Sequence, residues 1–327
     1  MPKQHKPRAG SMQFWPRKRA ERHVARVRSW APSDKANLLG FAGYKVGMTH
    51  VVAEDTRQKS TTAGEKIVIP VSVIECPSLK IASARFYKNS DSLKLVTEVF
   101  AKPAKELGRK IPLPKKASKK LEEVKPGDFD EIRVNVYTQP RYTAIGKKKP
   151  DLFEVAIGGS KEDAFAYVKE NLGKEISVKE IFSEGELADT HVITKGKGYQ
   201  GPVKRFGVAI RSSKSEKVKR GPGSIAGGWK AHGHMMYRVP DAGQMGYHMR
   251  TEYNKQIISI IDEAEKVNPD GGFLRYGNVK NTFILVKGSV GGPRKRLVRF
   301  CKPTRPKKVE PAAPKVLEIS KNSKQGK

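Results

Sequence analysis

The sequence predicts a mainly β protein: a barrel discontinuous in sequence, interrupted by an inserted α/β domain and carrying long basic extensions. Three observations lead there. Short runs rich in β-branched residues, separated by turn residues, recur in two portions, about 38–78 and 187–302, and neither alone has enough strands to close a barrel. Between them, residues 79–186 mix strand-like runs with a helix that carries its own start and stop signals. The extensions are so basic and so poor in apolar periodicity that they cannot bury a core of their own.

The elements follow in order. Residues 1–37 form a basic head; its first 30 residues hold nine Lys and Arg against one acid, Glu21. The head carries Trp15 and Trp30 without an amphipathic period, and reads as an extended arm that orders on binding. From Leu38, LLGFAGYKVGMTHVVAED and KIVIPVSVIEC read as strands, and LKIASARFY after Pro77 as a third. Inside the insertion, Asp91 to Leu107 shows a weak helical pattern (Leu93, Val96, Val99, Phe100) stopped by Gly108. IRVNVYTQ from Ile132 alternates as a half-buried strand should, and LFEVAIGG from Leu152 is another strand. Ser160 then opens a helix. Ser160 to Asp163 resembles a capping box, Ala164, Tyr167, Val168 and Leu172 form the apolar stripe, and Gly173 stands at the C-terminal cap. LADTHVITKGKGYQG returns to strand character, followed by QIISIID from Gln256, TFILVKG from Thr282 and RLVRF. Residues 303–327 are a tail rich in Lys and Pro.

Charge organises the chain as clearly as hydropathy. Lys and Arg number 65 against 33 Asp and Glu, a net +32. Such a surface repels itself and calls for a polyanionic partner. From Lys195 to Lys255, thirteen basic residues face three acids (Glu216, Asp241, Glu252) among closely spaced glycines. Asp151 to Thr194 has the opposite sign, ten acids to four lysines, and is expected to face away from the polyanion. Cys76 and Cys301 are the only cysteines and form no Cys-x-x-Cys pair, which excludes a zinc ribbon or finger and fits a reducing compartment. MPKQHKPRAG lacks the apolar core of a signal peptide, and no run of eighteen apolar residues occurs. A soluble cytoplasmic protein is the expectation.

Gly196-Lys197-Gly198, with Gly201 behind it, is a loop whose amides can approach phosphate; alone, a plain turn is an equal reading and the Walker pattern is absent, but its place at the mouth of the basic segment favours phosphate. His232-Gly233-His234 with His248, near Asp241, invites a metal reading. The intervening glycine fixes no geometry, however, and no helical His spacing is present, so no metal is expected. Flanked by Trp229, Tyr237 and Arg238, these imidazoles suit RNA bases and sugars. Trp229, between Gly228 and Lys230, is a stacking platform or an anchor on a neighbouring surface. Ser212, Ser213 and Ser215 lack a nucleophile elbow, and Asp241 and Glu252 read as tethers for arginines, so no catalytic residue and no cofactor is expected.

Three strings in order, KGKGYQGPVKRF (195–206), GPGSI (221–225) and AGQMG (242–246), resemble the signature of the large-subunit ribosomal protein L3 family. Tyr247-His248, Arg250-Thr251, Asn254-Lys255, the N-terminal HKPRAGSMQFWPRKRA and LLGFAGYKVGMTHV are similar to its archaeal and eukaryotic form, and the insertion fits that form too. The resemblance covers nearly the whole chain. It implies a translation-protein-type β-barrel on the outside of the large subunit and a basic loop, 211–250, running inward through ribosomal RNA. The loop tip, Gly221 to Gln244 with Trp229, would approach the peptidyl-transferase centre and the aminoacyl-tRNA entry region; His232 and His234 both compete for the tip histidine. Folded back as a hairpin, each arm of that loop spans at most about 65 Å. The resemblance further implies early assembly near the three-prime end of the large RNA, neighbouring large-subunit proteins as partners, and neither a membrane nor a free homo-oligomer. The expected RNA contacts are Arg17, Lys18 and Arg19 of the head, and Lys195, Lys197, Lys204, Arg205, Arg211, Lys219, Arg220, Lys230, Arg238, Arg250 and Lys255 of the central segment. Arg294, Lys295 and Arg296 join them before the last barrel strand, with Trp229, His232, His234 and Tyr237 toward unpaired bases and Gln244 and His248 as further RNA contacts. A metal-dependent enzyme using His232, His234 and His248, or a free DNA- or chromatin-binding protein, are the rival readings.

Overall fold

The computed structural model describes residues 10–57, 60–102, 104–113, 120–125, 127, 129–214, 217–222, 239–306 and 312–322. The chain divides into two compact units, one made of the N-terminal residues to His23 with Ile193–Arg250, the other of Val24–Val192 with Thr251–Lys327. Its strands are β1 (Gly40–Glu54), β2 (Lys66–Glu75), β3 (Leu79–Asn89), β4 (Leu93–Phe100), β5 (Glu131–Tyr137), β6 (Leu152–Ala156), β7 (Glu175–Ile176), β8 (Leu187–Ile193), β9 (Tyr199–Gln200), β10 (Gly243–Gln244), β11 (Met249–Ile261), β12 (Phe283–Lys287), β13 (Leu297–Cys301) and β14 (Lys315–Ile319). The helices are α1 (Lys161–Asn171) and α2 (Pro202–Phe206), with short 3-10 turns elsewhere. The protein is mainly β.

In the larger unit, a seven-stranded sheet runs β13-β8-β11-β12-β2-β1-β14 and closes on itself because β1 also pairs with β13. The length of β1 makes this possible. Its first residues, Gly40–Tyr44, pair with β13, and its last, Val51–Glu54, pair with β14, while β2 runs antiparallel along the other edge. Strands from both ends of the chain are therefore needed to close the ring, which removes most of the open sheet edge. Phe41, Tyr44, Val73, Ile74, Phe283, Leu285, Val298 and Phe300, on the two faces of this sheet, are all buried at near-zero exposure. Gly43 is dictated by that packing: a Cβ there would stand 2.5 Å from Cys76 Sγ and 2.7 Å from the Glu75 carbonyl oxygen.

The second sheet, β4-β3-β5-β6 with β7 on β3, lies within residues 79–176. Helix α1 covers it as the stripe requires, burying Ala164 and Val168 while Phe165 meets Phe86 and Phe129, each at 6.1 Å between ring centroids. Ser160 Oγ accepts the Asp163 amide at 3.2 Å, and Gly173 takes the positive φ (83°) after the C-terminus. The helical pattern at Asp91–Leu107 is overruled. Residues 93–100 are β4, paired along β3 from Asn89↔Leu93 to Ser83↔Phe100. The i, i+3 spacing of Leu93, Val96 and Val99 was never an apolar face, since Leu95 and Val96 are exposed and only Val99 among them is fully buried. An available edge of β3 decided the conformation of a segment rich in β-branched residues.

The acids of the stretch 151–194 divide between surface and interior: Glu162, Asp163, Glu170, Glu175, Glu180 and Glu184 are exposed, while several carboxylates bond within the fold. Asp189, fully buried, accepts the Asn254 amide at 2.8 Å and the Thr304 amide and hydroxyl at 2.9 Å. Glu184 accepts Ser259 Oγ and the Ile260 amide, Glu186 pairs with Lys302, and Asp151 accepts the Tyr44 hydroxyl at 3.0 Å. The Lys- and Pro-rich tail also contributes β14, which the composition of its neighbours hid; Gln256 Nε2 and Thr56 Oγ1 hold the chain just before it through the carbonyls of Ala312 and Ala313.

Candidate nucleic-acid interface

The smaller unit is a ladder of two arms. The Thr194 amide donates to the His248 carbonyl (2.9 Å), Lys197 N to Met245 O (2.9 Å) and Met245 N to Gly198 O (2.9 Å), before β9 and β10 pair Gln200 with Gly243 and Tyr199 with Gln244. Gly246 is indispensable to the close approach. Its φ is +71°, and a Cβ there would collide with the Lys195 carbonyl oxygen. Helix α2 follows on the ascending arm, opened by Pro202 at its first turn and closed by Gly207 at φ 68°.

The head docks on this ladder. Trp15 stacks on Phe206 at 5.7 Å, and the Arg17 guanidinium lies 4.4 Å above the Phe206 ring. Arg17 and Arg205 exchange donors across 188 residues: Arg17 Nη1 to Arg205 O and Arg205 Nη2 to Arg17 O, both 3.3 Å. Arg205 also donates Nε to Gln244 O (3.1 Å) and Nη1 to Asp241 O (2.9 Å), so its guanidinium is occupied by backbone carbonyls. The Ala20 amide donates to Tyr247 O (2.8 Å), His23 Nδ1 meets Tyr247 Oη (3.0 Å), and Arg19 sits 5.3 Å over the Tyr247 ring. Arg250 lies 4.6 Å over Phe14.

Between these parts opens a cleft of about 290 Å³, lined by Arg17, Thr194, Lys195, Lys197, Arg205, Gln244, Met245, Gly246, His248 and Arg250. His248 is 8% exposed, and its Nδ1 lies 2.8 Å from the Lys18 carbonyl, so Nδ1 carries the proton. Burial holds the His248 pKa down; the bond to Lys18 opposes this, and Arg250, Arg205 and Arg17 reinforce it. The ring is therefore a neutral imidazole in a cationic setting. Arg250 is likewise held below its ordinary value by burial and by Arg17. Gln244 Nε2 donates to Gly246 O at 2.9 Å, which fixes its amide.

The fold thus gathers Arg17, Lys18, Arg19, Lys195, Lys197, Lys204, Arg205, Gln244, His248 and Arg250 with Arg211, Lys219 and Arg220 in one unit. Lys18, Arg19, Lys195, Lys197, Lys204, Lys219 and Arg220 are exposed. Glu21 and Asp241 are the acids among the unit's described residues. Lys255, Arg294, Lys295 and Arg296 belong to the other unit, and three of them have internal work there. Lys255 pairs with Glu252 at 3.0 Å and donates to Ser289 O, Arg294 donates to Leu274 O, and Arg296 is buried. The expected tethering of arginines by Asp241 and Glu252 takes another form: Asp241 uses its backbone carbonyl on Arg205, and Glu252 holds Lys255. Trp229, Lys230, His232, His234, Tyr237 and Arg238 lie outside the described residues. The sequence reading missed Phe14, Phe206, Tyr247 and Thr194 as parts of the site. Its one usable signal was the presence of aromatic residues in otherwise charged segments. Among the described residues no cluster of His, Cys, Asp and Glu could hold a metal, and no helix is long and apolar enough to cross a membrane.

Comparison with known proteins agrees along the whole length. The family model described as ribosomal protein L3 matches residues 1–326. Large ribosomal subunit protein uL3 of Archaeoglobus fulgidus is 46% identical over 336 residues, covering 99% of this chain and all of the relative. The proteins of that name from Methanosphaera stadtmanae and Methanothermobacter thermautotrophicus are 48% and 46% identical, each covered completely along with this chain. The chain belongs to the ribosomal protein L3 family, in its archaeal-type form.

Proposed function

We propose that this chain is a structural, non-enzymatic constituent of the large ribosomal subunit that binds large-subunit ribosomal RNA, chiefly through the smaller unit. One observation carries this reading beyond family membership. The docked head and the two-armed ladder bring exposed cations from residues 18–19, 195–204 and 219–220 into one unit with almost no acid. Cations held on a fixed frame displace counterions from RNA phosphates without first being ordered themselves. The barrel and inserted sheet belong to the larger unit, and in this reading loop 211–250 reaches toward the peptidyl-transferase centre and the aminoacyl-tRNA entry region. In the same reading the chain binds early in assembly, near the three-prime end of the large RNA, and meets neighbouring large-subunit proteins there.

Binding of the full chain to large-subunit ribosomal RNA, titrated from low to moderate salt, tests the proposal. Log affinity should fall linearly with log salt, and Lys195→Ala with Lys197→Ala should lower the slope by about 0.7 for each single-strand phosphate that is no longer neutralised. Equal affinity for duplex DNA and for the ribosomal RNA would overturn it. Early assembly is read separately, from the order in which the labelled chain enters reconstituting subunits.

A further inference from the structure

Tyr199 is the most exposed large apolar side chain among the described residues, at 75%. Nothing about its backbone is loose. It pairs with Gln244 across the β9–β10 ladder, and the Gln200 side-chain amide ties back to the Lys197 carbonyl at 2.9 Å across the same turn. Rigid aromatic display in open solvent costs apolar hydration and stabilises no core contact, so it calls for an external partner. The surroundings narrow the chemistry of that partner. Lys195 and Lys197 precede the ring and Lys204 follows it, all exposed. Gly198 and Gly201 have nothing within 4 Å of where a Cβ would stand, leaving both sides of the turn open to close approach. Gln244, directly opposite Tyr199 and so on the same face of the ladder, lines the cationic cleft with Lys195 and Lys197.

We infer that Tyr199 is the stacking platform of a one-nucleotide site for an unpaired RNA base, whose phosphate is taken by Lys195 and Lys197 at the cleft. A flat aromatic face beside paired ammonium groups matches a nucleotide, with one flat apolar part and one anionic part; a base inside a continuous helix has both faces covered by its stacked neighbours. The inference rests on the RNA-binding reading above and adds the residue and the state of the base it contacts.

The full chain with Tyr199→Ala, Tyr199→Phe and Lys197→Ala is titrated against large-subunit ribosomal RNA over a range of salt, with thermal melts confirming an unchanged fold. Stacking predicts that Tyr199→Ala weakens binding about 5- to 150-fold at every salt concentration without changing the salt slope. Tyr199→Phe should bind as the parent does, because the ring face and not the hydroxyl meets the base. Lys197→Ala should lower the slope. Parental affinity for Tyr199→Ala, or equal losses for the Ala and Phe variants, would overturn the platform while leaving RNA binding by the rest of the unit intact. Failure of the parent chain itself to prefer ribosomal RNA would overturn the underlying reading and this inference with it.

Discussion

Acid should weaken the larger unit through His191. This residue stands on β8 in register with Arg299 of β13. Its Nδ1 meets Thr251 Oγ1 at 2.9 Å, and its Nε2 is buried with no partner among the described residues. Charging the ring would place a second N–H where no acceptor waits, next to a buried guanidinium. Burial first, then Arg299, brings its pKa down from 6.5 to about 4, with Asp189 opposing. The unfolded chain takes up a proton below its ordinary pKa while the folded one does not, so stability falls as pH drops through the interval from 6.5 to 4. The loss is about 1.4 kcal/mol per pH unit within the window, roughly 3 kcal/mol in all, and levels off once the folded form protonates too. Carboxylates titrate at the lower end of the same range, so the measurement is a difference. Urea unfolding of the parent and of His191→Gln, followed at several pH values from 7 to 4.5, isolates the contribution, because glutamine keeps an amide for Thr251 and cannot charge. The parent should lose stability more steeply than the variant between pH 6.5 and 5. Parallel curves across that interval would refute the reasoning.

Asp189→Asn should destabilise the same unit by about 2–4 kcal/mol in urea at pH 7, since it replaces a buried acceptor of three hydrogen bonds, two from Thr304 and one from Asn254, with an amide that brings donors into the site. In the smaller unit, Arg205→Ala removes guanidinium bonds to the carbonyls of Arg17, Asp241 and Gln244. Hydrogen exchange at the Lys197 and Met245 amides should speed up by an amount corresponding to about 1–3 kcal/mol, with the amides of β2 and β12 unaffected. Gly246→Ala should open the ladder at least as far, through the collision with Lys195 O and the left-handed backbone; unchanged exchange at Thr194 and Lys197 would show that the arms are not held as described.

Where local pattern and tertiary environment agree, the elements were readable from residues alone. Helix α1 has its cap, stripe and terminal glycine in the primary structure, and β5 and β12 have their alternation or apolar run. Strand β4 is not legible in the sequence because a period of three or four in a short segment does not show whether a neighbouring strand edge is free to pair. Strand β14 was hidden because five residues in a Lys- and Pro-rich tail become a strand only against the far end of β1. At the candidate interface, the residues alone point to the cations and the glycine-rich arms. They do not show how the cations divide: Arg205 spends its donors on carbonyls and Lys255 on Glu252, while Lys195 and Lys197 remain exposed.

By itself the sequence determined the sign and size of the charge, most of the β elements and, through KGKGYQGPVKRF, GPGSI and AGQMG in order, the family. These are properties of residue type and spacing, which a linear string carries in full. Tertiary structure alone decided that β1 closes the barrel by pairing with β13, that the head docks through Trp15, Arg17 and Lys18, and that His248 is a neutral ring bound to the Lys18 carbonyl. Each of these depends on groups some two hundred residues apart meeting within hydrogen-bond or stacking distance. Their partners are backbone carbonyls, sheet edges and ring faces, which nearly every residue or aromatic offers, so nothing in the order of the residues marks which of them will meet.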